Sequence, residues 1–164
     1  MRPLEERDIP LMVSSISDKD QRTRIRQIFQ RYLNEQDNGE REVIVAFSDE
    51  KYVGHVTIIW HPEYPPFAEK NIPEISNIGV EPELRRRGIG SMLMDEAEKR
   101  IFERSEIAGI GFGISADYGP AQRMFVKRGY VPDGKGLWTS ERGYIWEFST
   151  VQVDDCIIFL TKNR

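Results

Sequence analysis

The chain is poor in the features that mark secreted, membrane-spanning and nucleic-acid-binding proteins. It has one cysteine in 164 residues, which excludes an internal disulfide framework and any metal site built from several cysteines. It has no excess of positive charge, since its formal net charge is −4, and this argues against a general binder of nucleic acid or membrane surfaces. It also lacks an apolar run long enough for a signal peptide or a membrane span. We therefore predict a cytoplasmic protein and leave its oligomeric state, including a homodimer, open.

The rest of the composition is that of an ordinary globular protein. Charged residues make up 30% of the chain and hydrophobic residues 39%. A chain of 164 residues can bury a sizeable core, and we predict a single domain over residues 1–164. The one cysteine, Cys156, lies in an apolar run over residues 156–160, so we expect a buried structural thiol.

Hydrophobic periodicity predicts strands and helices in alternation. Asp8 is expected to cap a first helix, and Gly79, inside a strand, indicates either a bulge or a packing position. The predicted strands cover residues 42–47, 52–60, 75–80, 107–114 and 152–161, and the main predicted helices cover residues 20–33, 89–101 and 120–128. This order predicts a mixed sheet flanked by helices.

The most informative segment is residues 80–93, where an apolar strand leads into a loop of arginines and glycines that opens a helix. Unpaired amides and the helix dipole favour an anion at such a helix start. Gly88 and Gly90 allow the backbone to approach a bulky phosphate closely. The alternative is a solvated charge run followed by a plain turn. The order strand, basic loop and helix favours a site for a pyrophosphate.

Glycines alternate with apolar residues in the predicted strand 107–114. Gly109, Gly111 and Gly113 would leave one face of this strand as bare backbone. Bare backbone in a strand indicates close approach of a ligand arm or of a tightly docked helix, and these two alternatives are equally good.

Two segments together resemble the GNAT superfamily of acetyl-CoA-dependent N-acetyltransferases. Residues 85–90, Arg-Arg-Arg-Gly-Ile-Gly, agree with the R/Q-x-x-G-x-G/A pyrophosphate motif of that family at every defined position. Residues 117–130 resemble its N-x-x-A-x-x-x-Y-x-x-x-G-F/Y motif through Ala121, Gly129 and Tyr130. The resemblance covers roughly residues 42–131.

The resemblance implies a fold, a reaction and a set of contacts. The fold would be α/β (mixed α+β), with a central, mostly antiparallel twisted sheet of about six or seven strands flanked by about four helices. The reaction would move an acetyl group from acetyl-CoA to a primary amine of a small molecule or peptide by direct attack, without a metal. The residues implied to bind the coenzyme are Ile78, Gly79, Val80, Arg85, Arg86, Arg87, Gly88, Ile89, Gly90, Ser91, Ala121 and Arg123.

The chain departs from the family pattern at two positions that bear on catalysis. The usual asparagine is replaced by Tyr118, and the frequent tyrosine, which acts in many relatives as a general acid, is replaced by Phe125. A phenyl ring cannot donate a proton, so either another group protonates the thiolate or the thiolate leaves without help from the enzyme. Tyr118 is the candidate substitute, and its alternative role is that of a surface or packing residue. Glu74 is the candidate general base, with His55 and His61 as rivals. The same departure motivates a second hypothesis, a catalytically weak CoA-binding regulatory or interaction module.

Two segments rich in aromatic residues and carboxylates are candidates for the walls of an amine site. The first covers residues 60–67, and the second contains Trp138, Glu141, Tyr144, Trp146 and Glu147. The alternative, that these rings cap the hydrophobic core or form a dimer contact, has equal weight.

Overall fold

The protein is described from a computed structural model, and the described residues are 1–141, 143–145, 152–153 and 156–164. The described part contains eight strands and five α-helices, with short 3₁₀ turns between them. It divides into two compact units, which are described separately below. Unit 1 comprises Met1–Trp60 and Ser76–Arg100, and unit 2 comprises His61–Ile75 and Ile101–Arg164. The prediction of a single domain over residues 1–164 stays a prediction.

Unit 1 holds the amino-terminal elements. Its strands are β1 (Arg2–Pro3), β2 (Arg41–Ser48), β3 (Lys51–Ile59) and the greater part of β4 (Glu74–Val80). Its helices are α1 (Ile9–Met12), α2 (Lys19–Asp37) and all but the last two residues of α4 (Ile89–Phe102).

Unit 2 holds the elements that remain. Its helices are α3 (Pro65–Ala68) and α5 (Gly119–Lys127). Its strands are β5 (Ile107–Gly113), β6 (Val131–Thr139), β7 (Gly143–Tyr144) and β8 (Ile157–Asn163).

The eight strands form one mixed sheet in the order β1-β2-β3-β4-β5-β8-β6-β7. The β4–β5 pair is parallel and aligns Glu74 with Gly109 and Ile75 with Ile110. The pairs β1–β2, β2–β3, β5–β8, β6–β8 and β6–β7 are antiparallel. The predicted fold class is confirmed, although two strands of two residues each bring the strand number above the expected range.

The β2–β3 hairpin forms because two β-branched runs meet at a two-residue turn. Ser48 pairs with Lys51, which leaves Asp49 and Glu50 as the turn, with φ of 49° and 62°. Positive φ at both central residues is the geometry whose twist matches that of the flanking strands. The hairpin predicted from the sequence is therefore present, with a tight turn.

Helix α4 buries one stripe of apolar side chains, as its sequence predicts. Leu93, Ala97 and Ile101 are fully buried, whereas Asp95 and Lys99 are exposed. Arg100 bonds to Glu96 on the same helix and to Glu42 of β2. These contacts tie the helix that follows the arginine loop to the sheet of unit 1.

The predicted capping role of Asp8 is wrong in detail. The α1 helix does begin at Ile9, but the Asp8 side chain caps no amide of that helix. Its carboxylate instead receives two hydrogen bonds of 2.6 Å from Arg2 and one of 2.9 Å from the Glu5 amide. Burial favours the neutral acid, but these donors outweigh it, so the pKa of Asp8 is lowered. Asp8 therefore fixes the turn that precedes the helix.

Two further expectations can be compared with the structure. Cys156 is buried, as predicted, and its thiol lies 3.4 Å from the carbonyl oxygen of Gln152. Within the described ranges, every helix is too short or too polar to cross a membrane.

Candidate functional site

The loop between β4 and α4 has an unusual backbone. A 3₁₀ turn over Pro82–Leu84 closes with a 2.9 Å hydrogen bond from the Leu84 amide to the Glu81 carbonyl. Arg86 and Gly88 then adopt left-handed conformations, with φ of 62° and 85°. A side chain at such a φ costs of order 1–3 kcal/mol, and strain of this kind is concentrated at functional sites.

The amides of this loop are uncapped. Of the residues the structure describes, none accepts a hydrogen bond from the backbone N–H groups of residues 86–90. Further along, the Met92 amide donates to the Gly88 carbonyl, at 3.0 Å. Five consecutive donors without partners thus stand at the positive end of the α4 dipole. Such an arrangement can hold an anion with several oxygen atoms.

The three arginines add positive charge to the same loop. Arg85, Arg86 and Arg87 are all exposed, and within the described ranges none forms an ion pair. The Arg85 Nε donates to the Val80 carbonyl at 3.2 Å, which holds this side chain against the end of β4. Ile89 and Gly90 are half-buried, and Ser91 is exposed on the first turn of the helix. The predicted pyrophosphate residues 85–91 are therefore contiguous in the structure, as their sequence order requires.

Gly79 lies at a close packing contact, one of the two roles that its place in a strand indicated. The left-handed residue of β4 is Asn77, with φ of 44°, and not Gly79. A Cβ atom at Gly79 would lie 2.7 Å from Cε1 of His55. A Cβ atom at Gly54 would likewise lie 2.6 Å from the Gly79 carbonyl oxygen. Both glycines are thus needed because β3 and β4 approach each other closely, which is the packing alternative.

The glycines of β5 are covered by side chains of the protein itself. A Cβ at Gly109 would clash with the ring of Phe67, and one at Gly113 would lie 2.6 Å from the ring of Tyr118. A Cβ at Gly111 would meet Ile157 and Phe159, each at 2.9 Å. The docked-helix alternative accounts for the contact at Gly109, because Phe67 lies on helix α3, whereas Gly111 and Gly113 are covered by side chains of β8 and of the turn before α5. The bare strand face instead serves packing within unit 2.

The other sequence-predicted candidates belong to unit 2. Glu74 is half-buried at the first position of β4, and Tyr118 is 42% exposed. On α5, Ala121 is half-buried and Arg123 is exposed. Phe125 is buried, and its ring centroid lies 6.4 Å from that of Phe112. Phe125 thus occupies the family's tyrosine position as a core residue.

The aromatic segments proposed as walls of an amine site pack largely into the core of unit 2. Tyr64 and Phe67 are 2% and 1% exposed, and the Tyr64 ring stacks on Phe159 with 3.7 Å between centroids. The Tyr64 hydroxyl donates to Asp133 at 2.5 Å. Trp138 and Tyr144 pack against this cluster, whereas Glu141 is exposed. These contacts favour the packing alternative; Trp146 and Glu147 lie outside the described residues.

Unit 1 contains a cavity that the sequence did not reveal. Its volume is about 290 Å³, and it is bounded by the segment around α1, the first half of α2, β3 and the end of β4. The lining residues are Met12, Ile16, Ile25, Ile28, Phe29, Tyr52, His55, Asn77, Gly79, Val80, Glu81, Pro82 and Arg85. Three predicted coenzyme residues, Gly79, Val80 and Arg85, therefore share the wall of one cavity.

Two titratable groups of this cavity form a hydrogen-bonded pair. The Tyr52 hydroxyl lies 2.5 Å from Nδ1 of His55, and Nε2 of His55 is buried without a hydrogen bond to any described residue. Burial lowers the pKa of His55 to about 4, although the neighbouring Asn77 side chain acts in the opposite direction. Burial, with the nearby Glu81 charge, raises the pKa of Tyr52. Both groups are consequently neutral near pH 7, which makes His55 a weak base; His61 is exposed.

The structure offers no arrangement for a bound metal in its described part. No group of three or more His, Cys, Asp or Glu side chains is placed there to hold a metal ion.

Comparison with known proteins assigns the family. Residues 8–130 match the Acetyltransferase (GNAT) family, and this match covers well over half of the chain. The chain therefore belongs to the GNAT acetyltransferase family, and the resemblance found in the sequence is confirmed. No curated protein sequence is similar to the chain at a significant level.

Several solved structures share the fold. A ribosomal-protein-alanine N-acetyltransferase from Brucella melitensis has 18% identity and a TM-score of 0.67, covering 99% of this chain and 98% of that one. A GNAT family acetyltransferase from Elizabethkingia anophelis, with acetyl-CoA bound, has 18% identity and a TM-score of 0.63, covering 99% and 96%. A spermidine N-acetyltransferase chimera from Vibrio cholerae and hSSAT has 14% identity and a TM-score of 0.68, covering 99% and 93%. At identities this low, the similarity shows that the chain shares the fold of these proteins.

Proposed function

We propose that this family member transfers an acetyl group from acetyl-CoA to a primary amine of a small molecule or peptide. The observation that carries the proposal is the row of five amides at residues 86–90, at the start of α4, which donate to no residue in the described part of the chain. A diphosphate has several oxygen acceptors and at least two negative charges, which fit these donors and the three arginines beside them. The acetyl-CoA in the structure of the Elizabethkingia anophelis relative supports the choice of coenzyme.

The residues of unit 1 have distinct proposed roles. Amides of the segment 86–91 hold the pyrophosphate, and Arg85, Arg86 and Arg87 supply positive charge. The backbone of Ile78, Gly79 and Val80 pairs with the amide-containing pantetheine arm as a neighbouring strand would. The predicted coenzyme contacts of Ala121 and Arg123 stay predictions from the family resemblance.

Acetyl transfer needs a neutral amine, a thioester held next to it and an acceptor for the proton that the amine loses. Acetyl-CoA, when bound, supplies the acetyl thioester. The amine nitrogen would attack the carbonyl carbon and form a tetrahedral intermediate. The carbon–sulfur bond would break as that intermediate collapses, and the proton lost by nitrogen would balance the one gained by the thiolate. The Val80 amide is the proposed donor to the developing oxyanion. Glu74 as base and Tyr118 as acid stay predictions from the sequence and the family resemblance.

The acceptor class is supported by the relatives. The Brucella melitensis relative is named for an alanine of ribosomal protein and the Vibrio cholerae chimera for spermidine, and both acceptors are amines. A second function, a CoA-binding regulatory or interaction module, is favoured by one observation. Phe125 is a buried core residue and supplies no acid at the family's tyrosine position.

A thiol-release assay separates the two functions. The protein is mixed with acetyl-CoA and a panel of primary amines, and free thiol is followed with a thiol reagent, with a control lacking amine. The proposed transferase releases thiol only when a suitable amine is present. Binding of acetyl-CoA by calorimetry without amine-dependent thiol release from any member of the panel would instead identify a binding module. Absence of binding would contradict both functions.

A further inference from the structure

The cavity of unit 1 is apolar along one side. Five of its lining residues, from α1, the segment after it and α2, present only hydrocarbon or thioether groups to the space. These residues are Met12, Ile16, Ile25, Ile28 and Phe29. A wall of this kind stabilises an apolar chain by removing it from water and penalises a charge placed against it. The volume of about 290 Å³ is at the lower end for ligand pockets, so the chain must be short.

The opposite side of the cavity presents hydrogen-bond acceptors. The Tyr52 hydroxyl and Nδ1 of the neutral His55 share a hydrogen bond of 2.5 Å. A phenol oxygen has two lone pairs and this bond uses at most one of them, so the Tyr52 oxygen can accept from an incoming donor.

Glu81 adds a negative charge to this side. Its amide donates to the Val53 carbonyl at 3.1 Å, and its Oε2 accepts from Ser15 Oγ at 3.2 Å. Within the described ranges its carboxylate has no ion-pair partner, and it lies close enough to Tyr52 to raise the pKa of that phenol. The cavity also contains Arg85, whose Nε is bonded to the Val80 carbonyl and which belongs to the proposed pyrophosphate loop. The acceptors that face the cavity thus suit a cation.

We infer that this cavity is the acceptor site and that its substrate is a primary amine carried on a short apolar chain. The ammonium would donate to the Glu81 carboxylate and to the Tyr52 oxygen, while the chain lies against the wall formed by α1 and α2. An ammonium group has three donors and no acceptor, which matches the groups on this side. A diamine of similar length would place its second charge against the apolar wall. This inference rests on the proposed function, since it names the amine that the transferase would acetylate.

Calorimetry on the protein without acetyl-CoA tests the inference, with three probes of equal chain length. These are hexylamine, 1-hexanol, which lacks the charge, and 1,6-diaminohexane, which adds a second one. Hexylamine is expected to bind about tenfold more tightly than either of the others. Glu81→Gln is expected to weaken hexylamine binding about tenfold or more, because the charge partner is lost. The matched control is Glu83→Gln, the same change at an exposed residue of the adjacent turn, and it should leave the affinity unchanged.

Tyr52→Phe provides a second variant that keeps the Glu81 charge. It removes one acceptor and should weaken hexylamine binding several-fold, and circular dichroism melting of each variant verifies the fold. Tighter binding of the diamine, equal effects of Glu81→Gln and Glu83→Gln, or no measurable hexylamine binding would overturn the inference. Because these measurements need no turnover, the thiol-release assay can fail while the cavity still binds the amine. If the protein acetylates amines whose binding is unchanged by Glu81→Gln, the inference is rejected and the proposed function is kept.

Discussion

At the scale of single residues, the two histidines of the chain lie in opposite environments. His55 is 8% exposed and sits against Gly79, whereas His61 is exposed. Burial lowers the pKa of His55 from 6.5 to about 4, with Asn77 acting in the opposite direction. Between pH 6.5 and about pH 4, His55 is therefore protonated in the unfolded chain but neutral in the folded protein. The contribution of His55 to the free energy of unfolding is therefore present above pH 6.5 and is lost as the pH falls from 6.5 to about 4.

This difference gives a test that uses the second histidine as its control. Between pH 7 and pH 4 the His55 contribution to the loss of unfolding free energy is expected to be about 3 kcal/mol. His55→Gln should remove that part of the slope, and His61→Gln should leave it unchanged. Urea unfolding at a series of pH values measures the three slopes. Parallel pH dependence in the wild-type protein and His55→Gln would show that His55 titrates normally in the fold.

At the scale of elements, strand β5 shows how glycine lets a strand accept large neighbours. The ring of Phe67, which is 1% exposed, lies over Gly109, and the rings of Phe159 and Tyr118 lie over Gly111 and Gly113. Because Phe67 is enclosed in the aromatic cluster of unit 2, its ring has little room to move away from a new methyl group. The register of β5 beside β8 is therefore specified by side-chain volume as well as by hydrogen bonds.

Replacing Gly109 with alanine should therefore destabilise unit 2. The added Cβ would overlap the Phe67 ring, and overpacking of this kind costs about 1–3 kcal/mol. The matched control is Gly119→Ala, at the start of α5, where φ is −50° and no atom lies within 4 Å of an added Cβ. That change should be neutral or stabilise by up to about 1 kcal/mol. Guanidinium unfolding compares the two, and an equal stability of both variants would contradict the packing role of Gly109.

At the scale of the whole molecule, elements with strong local signals could be predicted from the sequence. The apolar stripe of α4, the β2–β3 hairpin and the loop over residues 85–90 each depend on neighbours within a few positions, and each is present. The order of these elements, with the family resemblance, was enough to predict the mixed sheet. The Gly88 conformation was also predictable, because a glycine before a helix accepts a left-handed φ.

Features that join distant parts of the chain could not be predicted. The unit 1 cavity combines Met12, Phe29, Tyr52 and Glu81, which no spacing rule relates. The sequence left open whether Gly79 marks a bulge or a packing position, and the His55 ring that covers it follows from no local spacing. Arg86 takes a left-handed φ that its type disfavours. The cavity and the packing of Gly79 depend on tertiary contacts rather than on local preference.

The central claim is that the backbone of residues 86–91 binds the diphosphate of acetyl-CoA, and two glycines test it most directly. Gly88 and Gly134 have φ of 85° and 80°, and no atom lies within 4 Å of an added Cβ at either position. Alanine should therefore strain both backbones to a similar extent, of order 1 kcal/mol, but only Gly88 lies in the proposed coenzyme loop. Titration calorimetry with acetyl-CoA should show at least a tenfold rise in Kd, about 1.4 kcal/mol, for Gly88→Ala and an unchanged Kd for Gly134→Ala. Wild-type affinity in both variants would contradict the claim.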